Sequence, residues 1–265
     1  MGTILAIAGK EIRIYLTTWT SYIVCGAFML ISAFFFQGLV VQFQQQSMQY
    51  LQHQYRAMIE QMNVTDWIFG PLLGNMTLFL LFMLPILTMR LIAEERRTKT
   101  LQLLMTTPVR PIEIVLGKYL AALVMMLLML GQTLVFPVLL HVFGIPALDG
   151  TSAVDWNSVW VGYLGLSLYG ATCVAIGLFA SSVTESQIVS VIIGFAVLLM
   201  LYVLGMAAQG ETGFWRELCT YLSITTHLDG FVRGMIRSTD LVYYFSLSFL
   251  ALFLTWRVLE AERWK

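Results

Sequence analysis

Apolar residues in this chain come in long runs, with polar residues gathered into the intervals between them. About 20 apolar residues in a helix cross a bilayer core of about 30 Å. Six segments meet or approach that length: 22–41, 68–92, 112–140, 159–180, 188–208 and 241–259. The pattern predicts an all-α, polytopic membrane protein with six transmembrane helices. The sixth segment is the shortest and leans on Tyr243, Tyr244 and Trp256 as interfacial anchors. The first is too long for the apolar core of a signal peptide, and no small-residue cleavage site follows it. It is therefore read as a retained span.

The intervals carry patterns of their own. In 1–20, Ile4, Ala8, Ile12 and Leu16 form one stripe with Lys10 and Arg13 off it, which predicts an N-terminal helix lying in the membrane interface. In 42–66, Met48, Leu51, Tyr55, Met58 and Met62 recur every three or four residues among glutamines and predict an amphipathic external helix. A methionine stripe is a ligand set for copper(I), but no Cys or paired His joins it here, so a packing face is the better reading. In 209–240, Trp215 and Leu218 fall on one apolar face and Phe231 and Met235 on another, with Gly210, Gly213 and Gly230 as punctuation. Two short re-entrant helices, forming an ordered lid over the spans, are expected there. Finally, 93–107 reads as a helix with Leu101, Leu104 and Met105 on one side. Glu94, Glu95, Arg96, Arg97 and Lys99 crowd its start, and Glu95 can pair with Lys99. Pro108 stops this helix and Pro111 opens the next.

Composition agrees with a membrane setting: 58% of the 265 residues are hydrophobic and 11% charged. No interval reads as a soluble domain, so 1–265 is taken as a single transmembrane domain. Formal net charge is zero, which suggests no nucleic-acid partner. Orientation follows from the uneven placement of Lys and Arg. Eleven of the fifteen lie in the N-terminal stretch, the connection between spans two and three, and the C-terminal stretch; Arg56, Arg216, Arg233 and Arg237 lie on the other side. That places both termini and 93–107 in the cytoplasm. The three cysteines show no CxxC spacing, which argues against a disulfide framework or a zinc site.

Catalytic chemistry is hard to find. His53, His141 and His227 are scattered, and no HExxH occurs. Gly117-Lys118 is not a phosphate loop: the upstream glycine is absent, and Tyr119 stands at the Ser/Thr position. Ser167, in GLSLYG, is not in a nucleophile elbow. Ionisable groups are nearly absent from the spans, with Arg90, Glu113 and Lys118 near their ends, so an ion-coupled carrier is not expected. No catalytic, cofactor or metal site is expected in this chain, and it is not expected to be an enzyme. Any work it performs must draw on another subunit. The fourth span is rich in small residues, Gly162, Gly165, Gly170, Ala171, Ala175, Gly177 and Ala180, which let helices approach closely.

The connection EERRTKTLQLLMTTPVRPIEIVLGKYLA resembles the first cytoplasmic loop of the membrane subunits of type-2 ABC exporters. In these, glutamates end the second span, a T-L-x-L-L-x-T-x-P core follows, and G-K opens the third. The resemblance extends over essentially the whole chain. The segments KEIRIYLTTWTSYIVCGAFMLISAFFF and THLDGFVRGMIRSTDLVYYFSLSFLALFLTWRVLEAERW are most similar to the gliding-motility-associated branch. What the resemblance implies is a permease subunit of the bacterial cytoplasmic (inner) membrane, serving export or mechanotransmission. It would work with a dimer of ABC ATPase subunits, which bind the ATP and Mg, and with a second membrane subunit. That subunit is either an identical copy or a related permease with a large extracytoplasmic domain. The segment 93–107 would be the coupling helix, with Glu94, Glu95, Arg96, Arg97, Leu101 and Leu104 as its contact residues. The alternative is a non-transporting membrane scaffold or assembly factor for extracytoplasmic partners.

Overall fold

The computed structural model describes residues 2–52, 65–101, 109–144, 154–207 and 213–262. Helix dominates: α1 (Gly2–Thr17), α2 (Trp19–Gln52), a π-helical turn (Thr65–Phe69), α3 (Gly70–Thr88), α4 (Arg90–Arg97), α5 (Pro111–Thr133), α6 (Val135–Phe143), α7 (Trp156–Val183), α8 (Gln187–Ala207), α9 (Phe214–Leu222), α10 (Asp229–Val232) and α11 (Ser238–Glu262). Six helical stretches are long and apolar enough to cross a membrane: Trp19–Tyr50, Trp67–Arg97, Pro111–Phe143, Trp156–Val183, Gln187–Ala207 and Ser238–Glu262. The protein is an all-α, multi-pass membrane protein, and each span coincides with a run expected from the sequence.

The fourth span, α7, is the centre of the bundle and packs against α3, α5, α8, α10 and α11. Its small residues are sockets. A Cβ on Gly162 would lie 2.5 Å from Leu73 Cδ1, and one on Gly165 would lie 2.4 Å from Phe231 Cβ. On Gly177 it would lie 2.2 Å from Thr88 Oγ1. Glycine at these positions therefore sets how closely the second span and the 228–232 turn approach the fourth. Asp155 caps the start of α7, accepting from the Asn157 backbone N–H (3.0 Å) and from Ser158 Oγ (2.6 Å). The Ser158 hydrogen bond holds its carboxyl below the usual range, since hydrogen bonds to the charged form favour it.

Two spans are interrupted. Pro137 has no N–H to donate one turn back, and the third span breaks at Leu134 into α5 and α6. Thr133 Oγ1 at the break bonds the Leu130 carbonyl (2.7 Å) and Tyr163 Oη (3.0 Å). In the second span Pro85 lies inside α3, and α4 takes over after Met89, whose backbone stays helical.

Three expectations change. The segment 42–52 is not the start of a separate external helix: α2 runs unbroken through it to Gln52. Nothing after Gly38 breaks helix, and glutamine is a good helix former. At 1.5 Å per residue, 34 residues reach about 51 Å, well beyond a bilayer core; the rest of 42–66 up to residue 64 lies outside the described residues. In α1 the buried positions are Ala8, Glu11 and Tyr15, so the inward face follows the 3.6-residue period and includes a carboxylate. Leu16, placed on the stripe by four-residue spacing, is exposed. Nor is 93–107 one helix. It closes at Arg97, and Lys99 takes a positive φ of 58° before helix resumes at Thr100. Thr98 Oγ1 donates to the Glu94 carbonyl (2.9 Å) and Thr100 Oγ1 to that of Glu95 (3.3 Å), satisfying carbonyls freed by the end of the helix.

Candidate functional site

Most of the described ion pairs that link separate helices lie at one end of the bundle, where α1, α4, the start of α5 and the end of α11 meet. Lys118, in the second turn of α5, is 1% exposed. Its ammonium donates to the Leu91 carbonyl (2.6 Å) and to Glu11 Oε1 (3.0 Å), and pairs with Glu95 Oε1 (2.9 Å). Two hydrogen bonds and one further ion pair thus carry this ammonium onto both α1 and α4. Lys10 approaches the same oxygens, 3.7 Å from Glu11 and 3.5 Å from Glu95, and stays largely in solvent. The two carboxylates and two ammoniums balance, which is the condition for keeping charge away from water.

Neighbouring contacts tighten the junction. Tyr15 Oη donates to the Leu87 carbonyl (2.9 Å), tying α1 to the end of α3, and the Arg90 guanidinium lies 5.7 Å from the Tyr15 ring centre. Burial pushes the Tyr15 phenol up, with Glu11 adding to the shift and Arg90 opposing it, so it stays a neutral donor. Ser181, fully buried near the end of α7, accepts from the Ile92 and Ala93 backbone N–H groups (3.1 and 3.0 Å) and donates to the Met89 carbonyl (2.9 Å). It caps the start of α4 from another span, filling the role a local N-cap side chain would have. Arg96 pairs with Glu262 at the end of α11. A cavity of ≈ 490 Å³ opens beside the junction, lined by Lys10, Glu11, Ile14, Arg90, Glu94 and Glu95 among others.

The sequence-derived contact residues therefore divide. Glu94 and Arg97 are exposed. Glu95 turns onto Lys118, and Arg96 onto Glu262. Leu101 is 3% exposed, within the protein's own apolar core. Leu104 lies outside the described residues. Glu11, Lys118, Ser181 and Glu262 were not anticipated. Lys118 was visible as a charge near the start of the third span and as half of a failed phosphate-loop pair, with nothing to name its partners, and Ser181 carries no local signal.

At the opposite end, the segment expected to form a lid also divides. Phe231 is fully buried on Gly165, beside the Tyr244 ring, and Ile224 and Leu228 are buried with it. Gly234, at φ +74°, ends α10 in a Schellman turn, with the Met235 N–H on the Gly230 carbonyl and the Gly234 N–H on that of Phe231. By contrast α9 buries no residue: Trp215 is 63% exposed, Leu218 is half-buried, and Met235 beyond α10 is exposed. His227 bridges the two parts. Its Nδ1 lies 2.7 Å from Asp240 Oδ1, its Nε2 lies 3.1 Å from the Tyr221 carbonyl, and its ring stacks 4.0 Å from that of Tyr243. Burial raises the neighbouring Asp229 carboxyl, with Arg233 opposing the shift.

Among the described residues, no three His, Cys, Asp or Glu side chains are placed to share a metal ion. A family model described as "ABC-2 family transporter protein" matches residues 5–258. No curated protein matches the chain.

Proposed function

The chain belongs to the ABC-2 family of transporter proteins, and from that premise we propose that it is the permease subunit of an ATP-driven complex whose ATPase is a separate chain. The observation that carries the reading beyond the family is α4. It extends the second span into a charged rod, leaves Glu94 and Arg97 exposed, and holds its remaining charges on other helices of the protein. Such a rod offers a partner two exposed charges on a rigid support. In this reading ATP binding closes an ATPase dimer, and α4 carries that motion into the spans. The Lys/Arg asymmetry supports a cytoplasmic position for α4 and for both chain ends, with α1 in the membrane interface and 213–236 outside. The likeness of the first and last spans to the gliding-motility branch supports pairing with a second, larger membrane chain.

The test is affinity purification of the full chain from its own host. A stoichiometric ABC ATPase is expected to accompany it. Reversing the two exposed charges together, Glu94→Lys with Arg97→Glu, is expected to reduce the retained ATPase several-fold, since exposed pairs contribute about 0–1 kcal/mol each, without changing the amount of permease in the membrane. Recovery of the chain with extracytoplasmic partners and no ATPase would establish the scaffold reading instead. Impermeant thiol labelling from outside is expected to reach Gln49→Cys and to miss Thr98→Cys; the reverse would invert the orientation.

A further inference from the structure

Gly117-Lys118 has a structural meaning that its likeness to a phosphate loop conceals. A Cβ on Gly117 would lie 2.8 Å from Ile7 Cγ2 and 3.1 Å from the Ile4 carbonyl oxygen. The missing side chain is what lets α1 lie flush along α5, and these two helices form one of the most extensive contacts in the protein. One residue later, Lys118 reaches across that contact to Glu11 on α1 and to Glu95 and the Leu91 carbonyl on α4. Glycine brings the helices together and lysine pins them.

We propose that Lys118 is the positioning residue that locks α1, α4 and α5 into one unit, so that a displacement of α4 reaches the third span and the N-terminal helix together. Three observations converge on it. The ammonium makes two hydrogen bonds and one further ion pair to groups on two other helices, so rotating α4 alone breaks two contacts at once. The charges close within the cluster once Lys10 is included, so no external ion is needed to hold it. The lysine lies close to where the third span begins, so a shift transmitted there is applied at the base of a long helix. The Tyr15–Leu87 bond ties α1 to the second span in parallel. The transmission role rests on the reading of α4 as the ATPase contact; the lock itself does not.

The experiment uses the full chain in lipid nanodiscs, with Cys25, Cys173 and Cys219 replaced by Ala and spin labels attached in pairs. Leu5 and Arg97 report α1 against α4, and Arg97 and Leu127 report α4 against α5. Narrow distance distributions are expected for both. The lock is then removed without leaving a buried charge, by Glu11→Gln, Glu95→Gln and Lys118→Met together, a set that keeps side-chain volumes. Both distributions are expected to broaden about two-fold or more, while a pair at Trp160 and Val242, across α7 and α11, stays unchanged. Equal widths in the locked and unlocked proteins would overturn the proposal. A second arm adds the co-purified ATPase and a non-hydrolysable ATP analogue. Nucleotide is expected to shift Leu127 against Ile192 of α8 in the locked protein and to lose most of that shift in the triple variant. An equal shift in both would overturn Lys118 as the route of transmission. Absence of any associated ATPase would remove the coupling reading, and the widths without ATPase would still decide the lock.

Discussion

Lys118→Met alone is expected to destabilise the protein by about 3–5 kcal/mol, the cost of breaking a buried ion pair from one side. The methionine fills nearly the same volume, so loss of packing contributes little. What remains is two carboxylates, Glu11 and Glu95, mostly out of water and now facing each other, with only Lys10 at 3.5 Å or more to compensate them. The Leu91 carbonyl also loses its side-chain donor. At a few degrees per kcal/mol for chains of this size, the apparent thermal midpoint is expected to fall by on the order of 10 °C. The triple variant with Glu11→Gln and Glu95→Gln is expected to recover most of that loss, because neutralising a whole buried cluster often costs little. Thermal unfolding of the three purified proteins by tryptophan fluorescence checks this. A Lys118→Met midpoint within about 2 °C of the parent would show that water reaches the carboxylates freely and that the cluster is not a buried one.

The contrast between what the sequence showed and what it concealed follows from range. A span is a local property: some 20 apolar residues announce it, and all six were legible. The sockets on the fourth span were partly legible, because a run of glycines and alanines in a membrane helix signals close approach, although not which residue fills each gap. The ion lock was not legible. Glu11 and Lys118 are 107 positions apart, and each alone reads as a charge at a membrane boundary. Ser181 reads as a polar residue near a helix end, since the N–H groups it caps belong to residues almost 90 positions earlier. The break after Arg97 was hidden for a different reason: Lys99 adopts a positive φ that lysine rarely chooses, held by threonine hydroxyls on either side. In 209–240, periodicity picked out two apolar faces. It could not say that Phe231 would be buried by the bundle while Trp215 and Met235 stayed exposed, because burial of the ring depends on the socket at Gly165.

That socket sets the second large expectation. Phe231→Ala is expected to cost about 3–5 kcal/mol, the usual range for deleting a buried aromatic ring, and to free the segment 223–236 from the bundle. The ring is fully buried between Gly165 and Tyr244. The same turn depends on Gly234, whose missing Cβ leaves room for Ser158 Oγ at 2.7 Å. Amide hydrogen exchange separates the two halves of the region. In the parent protein, slow exchange is expected for 224–232 and faster exchange for 214–222, where no residue is buried. In Phe231→Ala the slow set is expected to exchange at least tenfold faster, while the buried residues of α7 near Cys173 keep their protection. Gly165→Val attacks the seat from the other side. A Cβ there would overlap Phe231 Cβ at 2.4 Å, so it is expected to have the same effect with the phenylalanine intact. Combining the two changes is then expected to cost less than the sum of the single costs, because the valine methyls occupy part of the space the ring vacates, as coupled neighbours do. Strict additivity of the two, or unchanged protection in either single variant, would show that 223–236 is held by the Tyr243, Tyr244 and His227 hydrogen bonds and not by the Phe231 seat.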